Sequence, residues 1–293
     1  MEFELKKGAL RGAVETMGGE LVSFRDGEGT EYIWSGDPAY WSGRDPILFP
    51  VVGALKDGRV MAGKGVCRLD RHGFARKMEF TVAEWGEDYA IFALRDTPET
   101  LAQYPYPFRL RVTHRLTENG FATAYAVTNT GDDPMPFCIG GHTAYRCPLR
   151  EGEAFEDYSL VFDEKENAPS VAVLPGGLLG GHLAEGYLLD TDTVPLRHEI
   201  FDRADTLIFD GLRSKGVKLV SGADGRGIRV RFGEFPMLGI WTMPGKNAPY
   251  ICVEPWLGCA AYEDETGRFE DKPHAAVLAP GETKTLGFEA EIV

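Results

Sequence analysis

The sequence predicts an all-β protein whose strands pair mainly antiparallel. Short runs of apolar or alternating residues recur almost from end to end, which is typical of β-strands. Turn-forming residues, 36 glycines and 18 prolines, are scattered between these runs rather than clustered. Helical signal is slight, so few helices are available for the crossovers that parallel strands need. A single domain over residues 1–293, with roughly two dozen short strands, accounts for these features.

The predicted elements follow one another with turn signals between them. The pairs 79–84 with 89–94 and 109–116 with 121–128 are each separated by a glycine-containing turn, which indicates hairpins. One short helix is predicted at 97–103, because a threonine precedes a proline and a glutamate there. The predicted strands are 2–6, 13–22, 79–84, 89–94, 109–116, 121–128, 206–209, 215–220, 227–232, 238–242, 250–253 and 285–292.

Composition and charge exclude several classes of protein. A hydrophobic content of 43% is too high for a disordered chain. The net charge of −14 disfavours nucleic acid and anionic membrane surfaces as partners. The first seven residues alternate as a strand does, so no signal peptide is predicted. No stretch of 18 consecutive apolar residues occurs, so no membrane span is predicted. The five cysteines lack metal-ligand spacing, which indicates reduced buried thiols, a cytoplasmic location and no metal site.

The most informative segment is a carboxylate at the end of an apolar run. Residues 250–253 are all apolar, which predicts a strand buried on both faces, and Pro255 is expected to end it directly after Glu254. Burial of an unpaired carboxylate is costly or raises its pKa, and a raised pKa suits a general base near neutral pH. Alternatively, Glu254 caps a loop amide or pairs with an arginine.

Two histidines stand beside glycines in similar surroundings. His72 and Arg76 emerge from one loop, where Gly73 permits close backbone approach or positive φ, and together they could donate several hydrogen bonds to a polyol or phosphate. The alternative is a basic turn that faces solvent. His142 follows an apolar run and two glycines, so it is a candidate general acid. The alternative is a core histidine whose hydrogen bonds are satisfied.

For two charged residues and three aromatic residues, the sequence is compatible with either a structural role or a role in binding. Asp210 precedes a glycine between strands, which is a common hairpin signal, but it could also line a pocket. Arg44 is either a surface charge or a pocket residue. Three tryptophans could stack on a sugar or pack in the core: Trp34, Trp41 and Trp256. Motifs of serine hydrolases and nucleotide-binding proteins are absent from the sequence.

These segments, in this order, resemble the aldose 1-epimerase (galactose mutarotase-like) family, especially a divergent branch that is also similar to hexose-6-phosphate 1-epimerases. The likeness covers nearly the whole chain. It implies a large antiparallel β-sandwich, the galactose mutarotase-like supersandwich, with a concave sugar-binding face. It also implies Glu254 as base and His142 as acid, with the substrate held by His72, Arg76 and Asp210. Arg44 is a further candidate for substrate binding. The segments that carry it are 46–50, 72–76, 140–145, 254–256 and 280–282.

The resemblance implies acid–base interconversion of the α and β anomers of a hexose, without a cofactor. Glu254 would remove the proton of the C1 hydroxyl and His142 would protonate the ring oxygen, so a bell-shaped pH profile is expected. A phosphorylated hexose is an alternative substrate, with Arg44, Arg76 and Arg71 as a phosphate clamp. A non-catalytic sugar-binding protein on the same fold is a further alternative. The expected partner is a small sugar, and the protein is expected to be a monomer or a homodimer.

Overall fold

The computed structural model describes residues 1–293 and contains 24 strands and two short α-helices. The helices are α1 (Pro98–Gln103) and α2 (His198–Ala204). The strands, in chain order, are β1 Glu2–Lys7, β2 Leu10–Glu15, β3 Leu21–Arg25, β4 Ile47–Leu48, β5 Arg59–Ala62, β6 Gly65–Arg68, β7 Thr81–Trp85, β8 Tyr89–Arg95, β9 Phe108–Leu116, β10 Gly120–Asn129, β11 Met135–Phe137, β12 Ile139–Gly141, β13 Thr143–Arg146, β14 Tyr158–Asn167, β15 Val171–Val173, β16 Leu179–His182, β17 Leu189–Pro195, β18 Thr206–Asp210, β19 Gly216–Ser221, β20 Gly227–Arg231, β21 Met237–Trp241, β22 Tyr250–Leu257, β23 Ala276–Leu278 and β24 Thr283–Ile292. The all-β prediction is confirmed.

Two large sheets dominate the architecture, and their strands pair antiparallel. One sheet has nine strands in the order β17-β14-β19-β20-β24-β10-β9-β8-β7. The other has the order β18-β21-β22-β12-β4, with β13 also paired to β22. Both predicted hairpins form, β7 with β8 and β9 with β10. The antiparallel β-sandwich expected from the family resemblance is therefore present.

The main core lies between these two sheets. One cluster of 74 buried residues includes side chains from both of them. Their direct contact is visible at Gly141 in β12, because a Cβ there would lie 2.9 Å from both the hydroxyl of Tyr125 in β10 and the ring of Phe288 in β24. A side chain at position 141 would therefore push the sheets apart. The backbone at Gly141 therefore packs against the core on one face of its sheet, and side chains on the opposite face can be polar.

Two predicted strand boundaries were wrong. Residues 13–22 do not form one strand, because Gly18 and Gly19 both adopt positive φ (74° and 66°) and reverse the chain between β2 and β3. Strand β22 does not stop at Glu254 but continues through Pro255 to Leu257. Pro255 is tolerated there because the pairing on one side of β22 is interrupted between β12 and β13, so a backbone donor is not needed at that point.

The predicted helix at 97–103 is confirmed, but α2 was not predicted. Helix α1 begins with a capping box in which Thr97 accepts from the Thr100 amide and the Thr100 hydroxyl accepts from the Thr97 amide. Helix α2 has no such cap at Arg197, so its sequence carries no start signal. None of the helices is both long and apolar enough to cross a membrane. All five cysteines are buried and unpaired.

Candidate active site

His142 and Glu254 are brought face to face by the register of the six-stranded sheet. In β12, Gly140 lies opposite Trp256, and in β13, Thr143 lies opposite Val253. The register is the same on both sides, so His142, in the gap between the two strands, falls opposite Glu254. Directly opposed residues of antiparallel strands project to the same face of a sheet. The interruption at position 142 thus explains both the tolerated Pro255 and the pairing of the two polar side chains.

The pair is buried and incompletely hydrogen bonded. The Nε2 atom of His142 lies 3.4 Å from Oε2 of Glu254, and the two residues are 7% and 1% exposed. Neither Nδ1 of His142 nor Oε2 of Glu254 has a hydrogen-bond partner. Buried polar atoms are rarely left unpaired, so such atoms at a cavity mark a place where a ligand can complete the hydrogen bonding.

Burial favours the uncharged form of both groups. It lowers the pKa of His142 to about 3, with a smaller contribution from the positive charge of Arg76. It also raises the pKa of the Glu254 carboxyl well above its usual value. Burial causes both shifts, and the two groups are close enough to titrate as a coupled pair.

Aromatic rings hold the imidazole of His142 in place. The ring of Trp41 lies 5.0 Å from it at an interplanar angle of 30°, and the ring of Trp241 lies 5.5 Å away at 81°. His72 makes a third contact, edge to face, at 5.6 Å. Three rings around one imidazole limit its rotation, which is the arrangement needed for directed proton transfer.

The tautomer of His72 is defined by a hydrogen bond between its ring and a backbone amide. Its Nδ1 atom accepts a hydrogen bond from the amide of Gly53 (3.1 Å), so the proton is on Nε2 and that atom is a donor. His72 and Gly73 both adopt positive φ (67° and 68°). A Cβ at Gly73 would lie 2.2 Å from the carbonyl oxygen of Phe49, which confirms the predicted close backbone approach.

Two arginines, Arg71 and Arg76, line a cavity together with the acid–base pair. The guanidinium of Arg76 donates to the carbonyl of Arg71 (3.0 Å), while its buried Nε has no partner. Arg71 itself reaches the carbonyl of Gly176 (3.3 Å), in the loop between β15 and β16. These two guanidinium groups place positive charge at the cavity, beside the carboxyl groups of Asp205 and Glu254.

These residues line a cavity of about 340 Å³, which is large enough for one sugar ring. His142 and Glu254 lie in it together with His72, Arg76 and Arg71, and alternate residues of β18, Thr206 and Ile208, continue its surface. The remaining lining residues are Trp41, Gly53, Ala54, Val173, Gly177, Leu179, Asp205, Trp241, Met243, Pro244, Trp256 and Ala260.

Asp210 does not lie in this cavity. It shares a face of β18 with Thr206 and Ile208, but it lies at the far end of the strand, where its Oδ1 contacts Nε2 of His274 at 2.8 Å. The aspartate in the cavity is Asp205, directly before β18. It adopts φ 62° and ψ −71°, an unfavourable conformation for a non-glycine residue, and accepts a hydrogen bond from the Thr206 hydroxyl (2.8 Å).

Arg44 also lies outside the cavity. It donates to the carbonyl of Ser35 (3.0 Å) and approaches Glu15 at 3.7 Å. It lines a second, neighbouring depression of about 290 Å³, which shares Trp41 and Arg76 with the first. Arg44 and Glu254 therefore line different depressions.

Sequence reasoning missed Asp205 and Trp241 as cavity residues. The Asp-Gly pair at 210–211 favoured Asp210 as the candidate aspartate. Asp205 directly follows helix α2, and the sequence did not predict that helix. Trp241 lies opposite Cys252 in the register of β21 with β22, and only that pairing places it beside His142. Of the three tryptophans left open, Trp41 and Trp256 line the cavity, whereas Trp34 belongs to a small buried cluster.

Comparison with known proteins agrees with this architecture. A family model described as aldose 1-epimerase matches residues 1–290. The plasmid-encoded LacX protein of Lactococcus lactis is 37% identical over 302 residues, covering 100% of each chain. A galactose mutarotase-like protein from Lactobacillus casei has a TM-score of 0.93 at 27% identity, covering 100% of both chains. A galactose mutarotase related enzyme from Lactobacillus acidophilus has a TM-score of 0.92 at 29% identity, covering 100% of this chain and 97% of that one. Since the family model spans almost the whole chain, this protein belongs to the aldose 1-epimerase family.

Proposed function

We propose that this protein is an aldose 1-epimerase that interconverts the α and β anomers of a hexose. The observation that carries this proposal is the His142–Glu254 pair, buried at a sugar-sized cavity with unpartnered polar atoms on both residues. A protein that only binds sugar needs hydrogen-bond donors and aromatic surface, but it does not need a buried acid and base in contact.

In the proposed reaction, one proton leaves the C1 hydroxyl of the sugar and another is delivered to its ring oxygen. Glu254 takes the proton of the C1 hydroxyl while His142 gives a proton to the ring oxygen, and the C1–O5 bond breaks to form the open-chain aldehyde. Rotation about C1–C2 then presents the other face of the carbonyl. Closure returns the proton from O5 to His142 and gives the proton on Glu254 to O1. Each positioned acid or base contributes roughly 10²–10⁴-fold to such a reaction.

The proton count of the buried pair suits both halves of this cycle. Ring opening starts from protonated His142 and ionised Glu254, whereas closure starts from neutral His142 and protonated Glu254. The two forms contain the same number of protons and differ only in where one of them is. The pair therefore returns to its starting proton count after one opening and one closure, whichever anomer is the substrate.

The proposed contacts to the sugar come from the other polar groups at the cavity. His72 presents its Nε2 proton as a donor, and Asp205 presents a carboxylate as an acceptor. Trp41 and Trp256 offer flat apolar surfaces of the kind on which the C–H face of a sugar packs. Arg44 and Asp210 are not part of this proposal, because neither lies in the cavity.

A phosphorylated hexose is the second candidate substrate. Arg71 and Arg76 both line the cavity, and the unpartnered buried Nε of Arg76 supports an anionic ligand. Guanidinium groups bind phosphate through charge-assisted hydrogen bonds. This candidate keeps the same acid and base and changes only what the far end of the sugar carries.

Polarimetry on freshly dissolved sugars tests the proposal. Wild-type protein should speed the approach of α-D-glucose or α-D-galactose to anomeric equilibrium, and Glu254→Gln should not. If only glucose 6-phosphate is accelerated, the second candidate is correct; Arg76→Gln should then lose that preference, while Arg44→Gln should keep it. If sugars raise the melting temperature of the wild-type protein but no sugar is accelerated, the protein is a sugar-binding protein and the proposal is wrong.

A further inference from the structure

Cys252 lies next to the acid–base pair and has no place in the proposed reaction. It precedes Glu254 by two residues in β22, so both side chains project to the same face of the sheet. A nitrogen of His142, the sulfur of Cys252 and a carboxylate oxygen of Glu254 all lie within 4.8 Å of one another. The thiol is fully buried, and the imidazole and carboxyl are each more than nine-tenths buried.

The donors of this cluster are chemically suited to a soft divalent cation. Nitrogen, thiolate and carboxylate are the ligand types that bind Zn²⁺, at distances of about 2.0–2.3 Å. Tetrahedral ligands at those distances are separated by about 3.3–3.8 Å, so side-chain shifts on the order of 1 Å would close the set. Oε2 of Glu254 is buried without a hydrogen-bond partner and lies 3.4 Å from Nε2 of His142, so no hydrogen bond of that carboxylate oxygen has to be broken.

We propose that His142, Cys252 and Glu254 form a three-ligand site for Zn²⁺ or another thiophilic divalent cation, and that metal bound there blocks the acid–base pair. His142 and Glu254 line the cavity, so a water molecule or a sugar hydroxyl there can occupy the fourth coordination position. Because the metal binds the thiolate, binding expels the proton of the Cys252 thiol to solvent.

Metal binding and proton transfer exclude each other at this site. A coordinated imidazole nitrogen cannot carry the proton that the ring oxygen needs, and a coordinated carboxylate is a poorer base. Only Cys252 separates the two roles, because the proposed reaction uses His142 and Glu254 but not the thiol. The inhibition depends on the proposed function, whereas metal binding does not.

The test measures zinc binding and inhibition separately. Zn²⁺ affinity is determined by competition with a chromophoric chelator, and Co²⁺ is used as a second probe whose thiolate charge-transfer absorption reports coordination by sulfur. The variant is Cys252→Ser, and the matched control is Cys67→Ser, which removes another buried cysteine, in β6. Wild type and control should bind Zn²⁺ alike, and Cys252→Ser should bind it at least tenfold more weakly and lose the cobalt–thiolate absorption.

Polarimetry then follows each protein against its own metal-free rate. Zn²⁺ should inhibit the wild type and Cys67→Ser, a chelator should restore both, and Cys252→Ser should be insensitive at the same concentration. If Cys252→Ser does not fold, Cys252→Ala replaces it. Equal zinc affinity in wild type and the Cys252 variant, or no binding by the wild type, overturns the proposal. If zinc binds as expected to a protein with no epimerase activity, the metal site stands and the proposed function is wrong.

Discussion

Two buried histidines of this protein have the same pKa direction and opposite surroundings. His114, in β9 of the nine-stranded sheet, is 1% exposed; its Nδ1 contacts the Thr123 hydroxyl at 3.0 Å and its Nε2 contacts the Gly19 carbonyl at 2.8 Å. His142 is similarly buried, but its Nδ1 has no partner and its ring faces the cavity. Burial lowers the pKa of His114 to about 4 and that of His142 to about 3.

The comparison teaches that a shifted pKa does not identify a functional residue by itself. Burial lowers the pKa of both histidines, and the unsatisfied hydrogen bonding of His142 distinguishes it from His114. The carboxylates show the same contrast. Buried Glu166 accepts hydrogen bonds from the amides of Arg213 and Ser214, whereas Glu254 has an unpartnered oxygen at the cavity. Satisfied buried groups stabilise the fold, and unsatisfied ones beside a cavity are available for chemistry.

The largest expected effect is on catalysis at the unsatisfied pair. His142→Gln and Glu254→Gln should each lower kcat by roughly 10²–10⁴-fold, because each removes one proton-transfer group and keeps the side chain polar. Polarimetry under saturating sugar measures the rate, and circular dichroism checks that the variants fold. Full activity in either variant would remove the distinction drawn between the two histidines.

The next effect is on the pH dependence of stability, and it comes from His114. Its pKa is 6.5 when exposed and about 4 in the folded protein, so between these pH values the unfolded chain binds a proton that the folded protein does not. The free energy of unfolding should therefore fall as pH is lowered through this window, with His114 contributing about 3 kcal/mol of the loss. Urea titrations at pH 7 and pH 4 measure it, and His114→Leu should show a correspondingly smaller loss.

At pH 7 the same variant should be less stable than wild type but fully active. His114→Leu leaves the Gly19 carbonyl and the Thr123 hydroxyl without their partner, which should cost about 1–3 kcal/mol of unfolding free energy. The soluble, folded fraction should keep the wild-type kcat, since His114 does not line the cavity. A lower kcat with unchanged stability would contradict the structural role assigned to His114.

The smallest expected effect separates two aspartates. Asp205→Asn should raise KM by about tenfold, because it weakens one charge-assisted hydrogen bond to the sugar. Asp210→Asn should leave both KM and kcat within about twofold of wild type, since surface ion pairs such as Asp210–His274 contribute little. The opposite result would return Asp210 to the role that the sequence first suggested.

Local sequence patterns were sufficient for much of the fold. Alternating apolar residues in 109–116 and 121–128, with a turn between them, could form only a hairpin, and the cap at Thr97 placed the start of α1 correctly. The apolar run at 250–253 predicted a buried strand before Glu254, and that strand exists as β22. These features depend on residues near one another in the chain, so their period and turn chemistry are visible in the sequence.

The site itself depended on contacts that no local pattern specifies. The shared register of β12 and β13 with β22 places His142 opposite Glu254 and brings Cys252 into their cluster. The far end of β18 takes Asp210 out of the cavity, and the shared wall of Trp41 and Arg76 leaves Arg44 in the neighbouring depression. The sequence by itself determined which side chains have the chemistry for proton transfer and that each follows an apolar run. Only the tertiary structure decided which of them meet, because pairing between strands distant in the chain is selected by the packing of the whole sandwich and not by the residues on either side of each strand.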